Sequence, residues 1–200
     1  AKASSIFRTL SNLSYPLEKV VFGVNNELVE AKFKGMFVTA VFGKLNIKTG
    51  EMVFINAGHE SILTFDQNKN YEYIKSEMPP IGIVKYFSES MVKSNTINMK
   101  DKTFVVYTDG VTEGYLQNGE ELGSEGVQNI INNISEVTPK AIVESIEKEL
   151  NWGAEKLRDD ITCMAINIKN TELIKKTPHK ETEKNKSLFT RINIIQYFIL

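Results

Sequence analysis

The stretch at residues 104–114, FVVYTDGVTEG, carries the residues whose types and order could do chemistry. An apolar, β-type run at residues 104–107 ends abruptly in Thr108, Asp109 and Gly110. A strand that delivers a short carboxylate to its own end can place a ligand for a hard divalent cation. The glycine lets the backbone turn and lets a ligand approach closely. Because Asp-Gly between apolar runs is also the signal of a plain hairpin turn, the stretch alone leaves both interpretations open.

A second acidic site, Asp159 and Asp160, directly precedes the last apolar run at residues 161–168. If this run and the run ending at Asp109 form neighbouring antiparallel strands, the end of one lies beside the start of the other. The carboxylates would then meet at one rim of the sheet, and Mg²⁺ or Mn²⁺ needs several oxygens held close together. The alternative is a solvated acidic pair before a strand. Two acidic sites at strand ends, each beside a threonine, favour the metal site.

The elements that must position these carboxylates are predicted in the order helix, helix, several antiparallel strands, helix, helix, strand. Apolar residues at helical spacing predict the first helix over residues 1–10, and Pro16 opens the second. Ser124 and Thr138 are predicted to cap the two later helices. Strands are predicted at residues 36–45, 51–56, 61–65, 71–75, 91–99, 104–107 and 161–168. Because this order is not an alternating βαβ pattern, it predicts an α+β fold with an antiparallel β core covered by helices.

Composition limits the classes of partner. The 24 Lys and Arg residues nearly balance the 25 Asp and Glu residues, so the net charge of −1 offers no electrostatic case for nucleic acid or an anionic membrane. The single cysteine, Cys163, is predicted to be a small core residue, and one lone cysteine fits a reducing, cytoplasmic compartment. Residues 1–168 are predicted to be the domain. Residues 169–200 are predicted to be a polar tail that ends in an apolar segment too short to span a bilayer.

Five motifs in order carry a resemblance to a known family. Residues 107–113, YTDGVTE, resemble the "YTDGvtE" motif of bacterial metal-dependent PPM-type (type 2C) serine/threonine protein phosphatases. The branch is that of stage II sporulation protein E and the sigma-factor regulator phosphatases. The other matching motifs are MFVTAVFG with TGE at residues 36–43 and 49–51, NAGH at 56–59, PIG at 80–82 and DDIT at 159–162. The resemblance covers residues 1–168 and leaves the tail outside.

The resemblance implies an antiparallel β-sandwich flanked by helices, with two Mn²⁺ or Mg²⁺ ions at one end. Asp109 and Asp159 match the family's metal-binding positions and are the candidate catalytic residues. Asp160 sits where a polar neighbour supports the site, and it is included among the candidate metal ligands. The implied reaction is hydrolysis of phosphoserine or phosphothreonine on a regulatory signalling protein by a metal-activated water.

Six further residues are candidates for supporting the site or lining its rim. Arg158 could bind a phosphate through its bidentate fork. His59 lies in a turn, where it would either hydrogen-bond the backbone or stand at the rim of the site. The remaining four are expected to support the ligands rather than to bind metal: Gly110, Thr108, Thr112 and Glu113.

The family also has an earlier segment with an Asp-x-Ser-Gly turn, which supplies the aspartate that bridges both metals. This segment would precede Ala1 and is not part of the sequence, so we expect an N-terminally truncated domain that is nearly inactive alone. The alternative is a catalytically incomplete regulatory or binding module of the same fold. Expected partners are a phosphorylated protein of the anti-sigma-factor antagonist type, an N-terminal sensor or regulatory domain, and a second copy of the chain as a homodimer.

Overall fold

The computed structural model describes residues 2–31, 37–86, 88–150 and 160–168. It divides into two compact units: Ala1–Ala57 with Met78–Asp101 and Ile168, and Gly58–Glu77 with Lys102–Asn167. In chain order the elements are α1 (Lys2–Ser11), α2 (Leu17–Glu30), β1 (Ala40–Leu45), β2 (Glu51–Ala57), β3 (Ile62–Asp66), β4 (Tyr71–Ile74), a 3₁₀ turn (Glu89–Met91), β5 (Asn95–Asn98), β6 (Lys102–Tyr107), α3 (Asp109–Thr112), α4 (Gly123–Asn132), α5 (Pro139–Leu150) and β7 (Cys163–Asn167). Within these residues, no helix has the length and apolar character needed to cross a membrane.

A three-stranded antiparallel sheet in the order β1-β2-β5 forms the centre of the first unit. The turn between β1 and β2 closes because Asn46 Oδ1 accepts hydrogen bonds from the backbone N–H groups of Lys48 and Thr49. Gly50 completes it at a φ of 80°, which glycine adopts without steric cost. The turn predicted at this position is therefore confirmed.

Helices α1 and α2 pack their apolar faces into the core of this first unit. The ring centroids of Phe7 in α1 and Phe42 in β1 are 5.1 Å apart. Burial of each such side chain stabilises the fold by about 1.5–3 kcal/mol. The apolar faces predicted for the two helices are largely confirmed, since these inward residues are buried: Ala3, Phe7, Leu17, Val20, Val21 and Val24.

The Pro80-Ile81-Gly82 motif has a structural position in the same unit. Ile81 is fully buried, and its backbone exchanges two hydrogen bonds of 2.9 Å with Val38. The N–H of Gly82 donates to Oδ1 of Asn25, a fully buried side chain of α2. The motif thereby ties the loop that follows β4 to α2.

The second unit contains a four-stranded antiparallel sheet in the order β4-β3-β6-β7. Helices α4 and α5 pack against it through an apolar cluster that includes Val105, Val127 and Ile146. Lys69, in the loop before β4, donates to the carbonyls of Ile131 and Asn132 at the end of α4. A cation in this position satisfies helix-terminal acceptors that would otherwise need water.

Three local predictions were wrong, and one helix was not predicted. The strand expected at residues 36–45 begins only at Ala40, and residues 32–36 lie outside the described part. The strand expected at 91–99 is only β5, because Ser88 accepts a hydrogen bond from the N–H of Ser90 and starts a 3₁₀ turn ending at Met91. Ser124 does not cap α4, since the capping position is Leu122, whose side chain is buried. A short helix, α3, follows the central strand at a position where no helix was predicted.

Candidate functional site

Asp109 is the first exposed residue after the buried strand β6. Every residue at positions 103–108 is buried, and Thr108 has no exposed surface, whereas Asp109 is exposed. Its Oδ1 accepts a hydrogen bond of 2.9 Å from the N–H of Gly110. The end of the strand therefore presents a carboxylate to solvent with one of its oxygens oriented by the backbone.

Thr112 and Glu113 hold the backbone of Asp109. The Thr112 hydroxyl donates to the Asp109 carbonyl at 3.1 Å, and the N–H of Glu113 donates to the same carbonyl at 2.7 Å. These two bonds close the single turn of α3. Both residues, predicted to support the site, thus act on the main chain of Asp109 rather than on its carboxylate.

Strand β7 lies next to β6 and runs antiparallel to it, with Tyr107 opposite Cys163. Just beyond this pair, the N–H of Thr108 donates to the carbonyl of Thr162 at 3.0 Å, and the Thr108 hydroxyl donates to the carbonyl of Asp160 at 3.1 Å. Asp160 is itself exposed. The end of β6 and the entry to β7 therefore share one edge of the sheet, which is the arrangement that the predicted metal site requires.

The remaining predicted site residues have different outcomes. Asp159 and Arg158 lie outside the described residues, so the apposition of Asp109 and Asp159 stays a prediction. His59 is buried in the turn between β2 and β3. Across the described ranges, no group of three or more His, Cys, Asp or Glu side chains is placed to hold a metal ion.

Two titratable side chains next to this edge are kept neutral. Burial raises the pKa of Tyr107 well above its ordinary value, and interactions with Tyr73 raise that pKa further. Burial likewise raises the pKa of the Cys163 thiol, to about 12. Because Tyr107 and Cys163 are cross-strand partners, the strand ends leading to Asp109 and Asp160 carry no ionised tyrosine or thiolate at neutral pH.

The described donors fit a hard divalent cation. Asp109 and Asp160 are exposed carboxylates, and oxygen donors of this kind suit Mg²⁺ and Mn²⁺. Mg²⁺ is commonly bound by one or two carboxylates and keeps several waters. Two carboxylates at one sheet edge are therefore a chemically suitable partial ligand set for a single ion.

Sequence reasoning missed the role of Thr162. Its backbone N–H donates to the Thr108 hydroxyl at 3.1 Å, and its carbonyl accepts from the Thr108 N–H. The only signal was its place in the DDIT motif at residues 159–162.

The charge of Glu60, which follows His59, also acts on Tyr107. Nothing in the local pattern around Glu60 indicates that proximity.

The sequence matches a known protein family and is similar to an individual known protein. Residues 1–169 match the family described as "Stage II sporulation protein E (SpoIIE)". Protein IcfG of Synechocystis sp. is 29% identical over 136 residues, a match that covers 66% of this chain and 20% of IcfG.

Solved structures share the fold at low sequence identity. The RsbU and RsbW domains of Rv1364c from Mycobacterium tuberculosis match with a TM-score of 0.65 and 20% identity, over 82% of this chain and 46% of that one. The SpoIIE PP2C phosphatase domain with a regulatory-domain fragment from Bacillus subtilis matches with a TM-score of 0.66 and 13% identity, over 83% and 48%. RsbX in complex with magnesium matches with a TM-score of 0.54 and 16% identity, over 82% and 71%. The mixed helical and antiparallel-sheet fold is thus that of PP2C phosphatase structures, and the chain spans less than half of the first two solved chains.

Proposed function

Because this chain belongs to the stage II sporulation protein E (SpoIIE) family, we propose that it serves as a metal-dependent serine/threonine protein phosphatase domain. The observation that carries the proposal is the exposed Asp109 carboxylate at the end of β6, joined through Thr108 to the Asp160 segment that enters β7. The substrate is a phosphoserine or phosphothreonine on a regulatory signalling protein.

Asp109 and Asp159 hold Mn²⁺ or Mg²⁺, and Asp160 is a further ligand at the same edge. The presence of magnesium in the RsbX structure supports a divalent cation of this type. When bound, such ions supply an activated water and neutralise charge on the phosphoryl oxygens. The N–H of Gly110 orients one Asp109 oxygen, which lowers the cost of arranging that ligand when a cation arrives.

The supporting residues divide by what they act on. Thr112 and Glu113 fix the Asp109 backbone through its carbonyl. Arg158 binds the substrate phosphate, because a guanidinium offers two parallel donors to phosphate oxygens. His59 stands at the rim of the site.

The partner is a phosphorylated regulatory protein of the anti-sigma-factor antagonist type, in the cytoplasm. The RsbU and RsbW domains that Rv1364c combines, and the regulatory-domain fragment solved with SpoIIE, support a regulatory partner and a regulatory domain. The chain acts as a homodimer in this proposal, which sedimentation of the natural protein would test.

The test is substitution of the central carboxylate. In the natural protein, Asp109→Asn is expected to abolish Mn²⁺-dependent hydrolysis of a phosphoserine peptide, with little loss of stability, because it removes a ligand charge from an exposed side chain. Asp101→Asn is the matched control: Asp101 is exposed at a φ of 61°, which asparagine tolerates well. Full turnover by Asp109→Asn would refute the ligand role. A natural protein that folds but neither binds Mn²⁺ nor hydrolyses the peptide would favour the regulatory-module alternative.

A further inference from the structure

Thr108 holds the capping position of a helix but does not cap it. It precedes the first residue of α3, and its side chain makes no capping hydrogen bond. Threonine at this position ordinarily accepts a bond from an N–H in the first turn. Here the first-turn N–H of Val111 bonds instead to the Thr108 carbonyl, at 2.9 Å. The Thr108 hydroxyl is therefore available for another contact.

That hydroxyl joins two strands at the candidate site. It donates to the carbonyl of Asp160 at 3.1 Å and accepts from the N–H of Thr162 at 3.1 Å. The N–H of Thr108 adds a third bond, to the carbonyl of Thr162 at 3.0 Å. A hydroxyl is one of the few neutral groups that both donates and accepts, so an aliphatic side chain of the same shape makes neither hydroxyl bond.

These bonds are not needed to align the two strands. β6 and β7 already pair over five residues, from Thr103↔Asn167 to Tyr107↔Cys163. The hydroxyl bonds lie beyond the last of these pairs and join the residue before Asp109 to the backbone of Asp160 and Thr162. Their effect is therefore local to the segments that carry the two carboxylates; without them, the Thr108 N–H bond to the Thr162 carbonyl is the remaining backbone link of Thr108 to the segment that carries Asp160.

We propose that Thr108 is a positioning residue whose hydroxyl holds Asp109 and Asp160 at a fixed separation and so sets the affinity of the site for a divalent cation. The inference rests on the proposed function, since it requires Asp109 to be a metal ligand. Groups that orient a ligand from outside typically change metal affinity by about 10–100-fold when they are lost. Valine has nearly the shape of threonine, so at the fully buried position of Thr108 it removes the two hydroxyl bonds and leaves the Asp160 carbonyl and the Thr162 N–H without that partner.

The experiment measures Mn²⁺ binding to the natural protein by electron paramagnetic resonance of the free ion, together with urea unfolding of the metal-free form. Thr108→Val is expected to weaken Mn²⁺ binding by about 10–100-fold, whereas Thr108→Ser, which keeps the hydroxyl, stays within about threefold of the parent. Thr64→Val is the matched control. Thr64 is a buried threonine of β3 in the same sheet, and its hydroxyl has no hydrogen-bond partner among the described residues.

Asp109→Asn distinguishes a failure of the positioning role of Thr108 from a failure of the proposed metal site. If Asp109→Asn loses Mn²⁺ binding while folded Thr108→Val binds as the parent does, the positioning role is wrong and the proposed function stands. If Asp109→Asn binds Mn²⁺ as the parent does, the proposed metal site itself is wrong. If Thr108→Val does not fold, Thr108→Ala is compared with Thr108→Ser: a tenfold or greater loss of affinity in the alanine variant alone supports the role of the hydroxyl, and equal affinities of the two folded variants overturn it.

Discussion

Single residues around the candidate site are distinguished by which of them can carry charge. Asp109 and Asp160 are exposed, whereas Tyr107 and Cys163, on the adjoining strand residues, are held in their neutral forms by burial. A neutral thiol is a poor metal ligand, because the thiolate is the form that binds. The edge thus offers an incoming cation hard oxygen donors without a competing soft one.

Cys163 is expected to react slowly with thiol reagents. Its pKa is raised from 9.0 to about 12, so at pH 8 the folded protein holds far less thiolate than an unfolded chain. Labelling by 5,5′-dithiobis(2-nitrobenzoate) at pH 8 should be at least about 100-fold slower in buffer than in concentrated urea. Cys163→Ala identifies any signal from other groups, and equal rates in the two solvents would contradict the burial of the thiol.

The same shift in pKa sets a direction for stability. The folded-state pKa of Cys163 lies above the unfolded value, so its contribution to stability is fully present below pH 9 and is lost as pH rises toward 12. In urea unfolding, the free energy of unfolding of the Cys163→Ala variant should therefore fall less between pH 9 and pH 12 than that of the parent protein.

For single residues, the sequence predicts where a side chain lies along its strand better than it predicts which distant residue that side chain contacts. The apolar run before Asp109 and the acidic pair before the last strand place both carboxylates at strand ends, and the neighbouring pairing of β6 and β7 is confirmed. The role of the Thr108 hydroxyl could not be predicted, because a threonine before a helix ordinarily caps that helix. Its actual acceptor is 52 residues away along the chain. Only the tertiary register brings the two together.

Among the elements, α3 is positioned by a glycine. A Cβ added at Gly114 would lie 2.7 Å from Leu150 Cδ2, 3.0 Å from the Gly110 carbonyl oxygen and 3.2 Å from that of Val111. Leu150 is the last residue of α5, so a side chain at position 114 would press on the end of α5 and on the backbone of α3. The Gly110 carbonyl involved belongs to the residue that follows Asp109.

Gly114→Ala is expected to destabilise the fold. The added methyl group meets backbone oxygens that cannot move independently, so the free energy of unfolding should fall by about 1–3 kcal/mol. In a domain of this size, the melting temperature falls by roughly 2–4 °C per kcal/mol. Gly43→Ala is the control, since an added Cβ there has nothing within 4 Å. Equal melting temperatures for Gly114→Ala and Gly43→Ala would show that α3 shifts without cost.

Elements that rest on local chemistry could be predicted, and those that rest on distant partners could not. Thr138 accepts a hydrogen bond from the N–H of Ala141, and α5 begins at Pro139 as expected. α4 instead begins at Gly123, because Leu122 is buried in the apolar cluster and its N–H donates to the Gly114 carbonyl. Ser124, the second residue of α4, is thereby placed inside the helix rather than before it.

For the molecule as a whole, cation binding should appear as a gain in stability. A ligand that binds only the folded state at 100 times its dissociation constant adds about 2.7 kcal/mol to the free energy of unfolding. Mn²⁺ should therefore raise the melting temperature of the natural protein, and EDTA should reverse the shift. Asp109→Asn should show no such shift, whereas Asp101→Asn should show the full one. An equal shift in Asp109→Asn would mean that Mn²⁺ binds elsewhere.

The overall class of fold was predictable, but its division into two units was not. The order of elements predicts antiparallel sheets with helices, and the fold of PP2C phosphatase structures confirms this. Strands β2 and β5 pair although the hairpin of β3 and β4 lies between them in sequence. An apolar pattern indicates where a strand lies but not which strand pairs with it, so the assignment of strands to two sheets depends on long-range pairing.

The interleaving of the two units has a consequence for synthesis on the ribosome. The first sheet can be completed only after β5, at Asn95–Asn98, has been synthesised. The second can be completed only after β7, at Cys163–Asn167, has been synthesised. The hairpin of β3 and β4 therefore emerges well before its central neighbour β6 and carries an unsatisfied edge in the meantime. That edge stays open until β6 has left the exit tunnel, and an unpaired strand edge of this kind is a place where a nascent chain can associate wrongly.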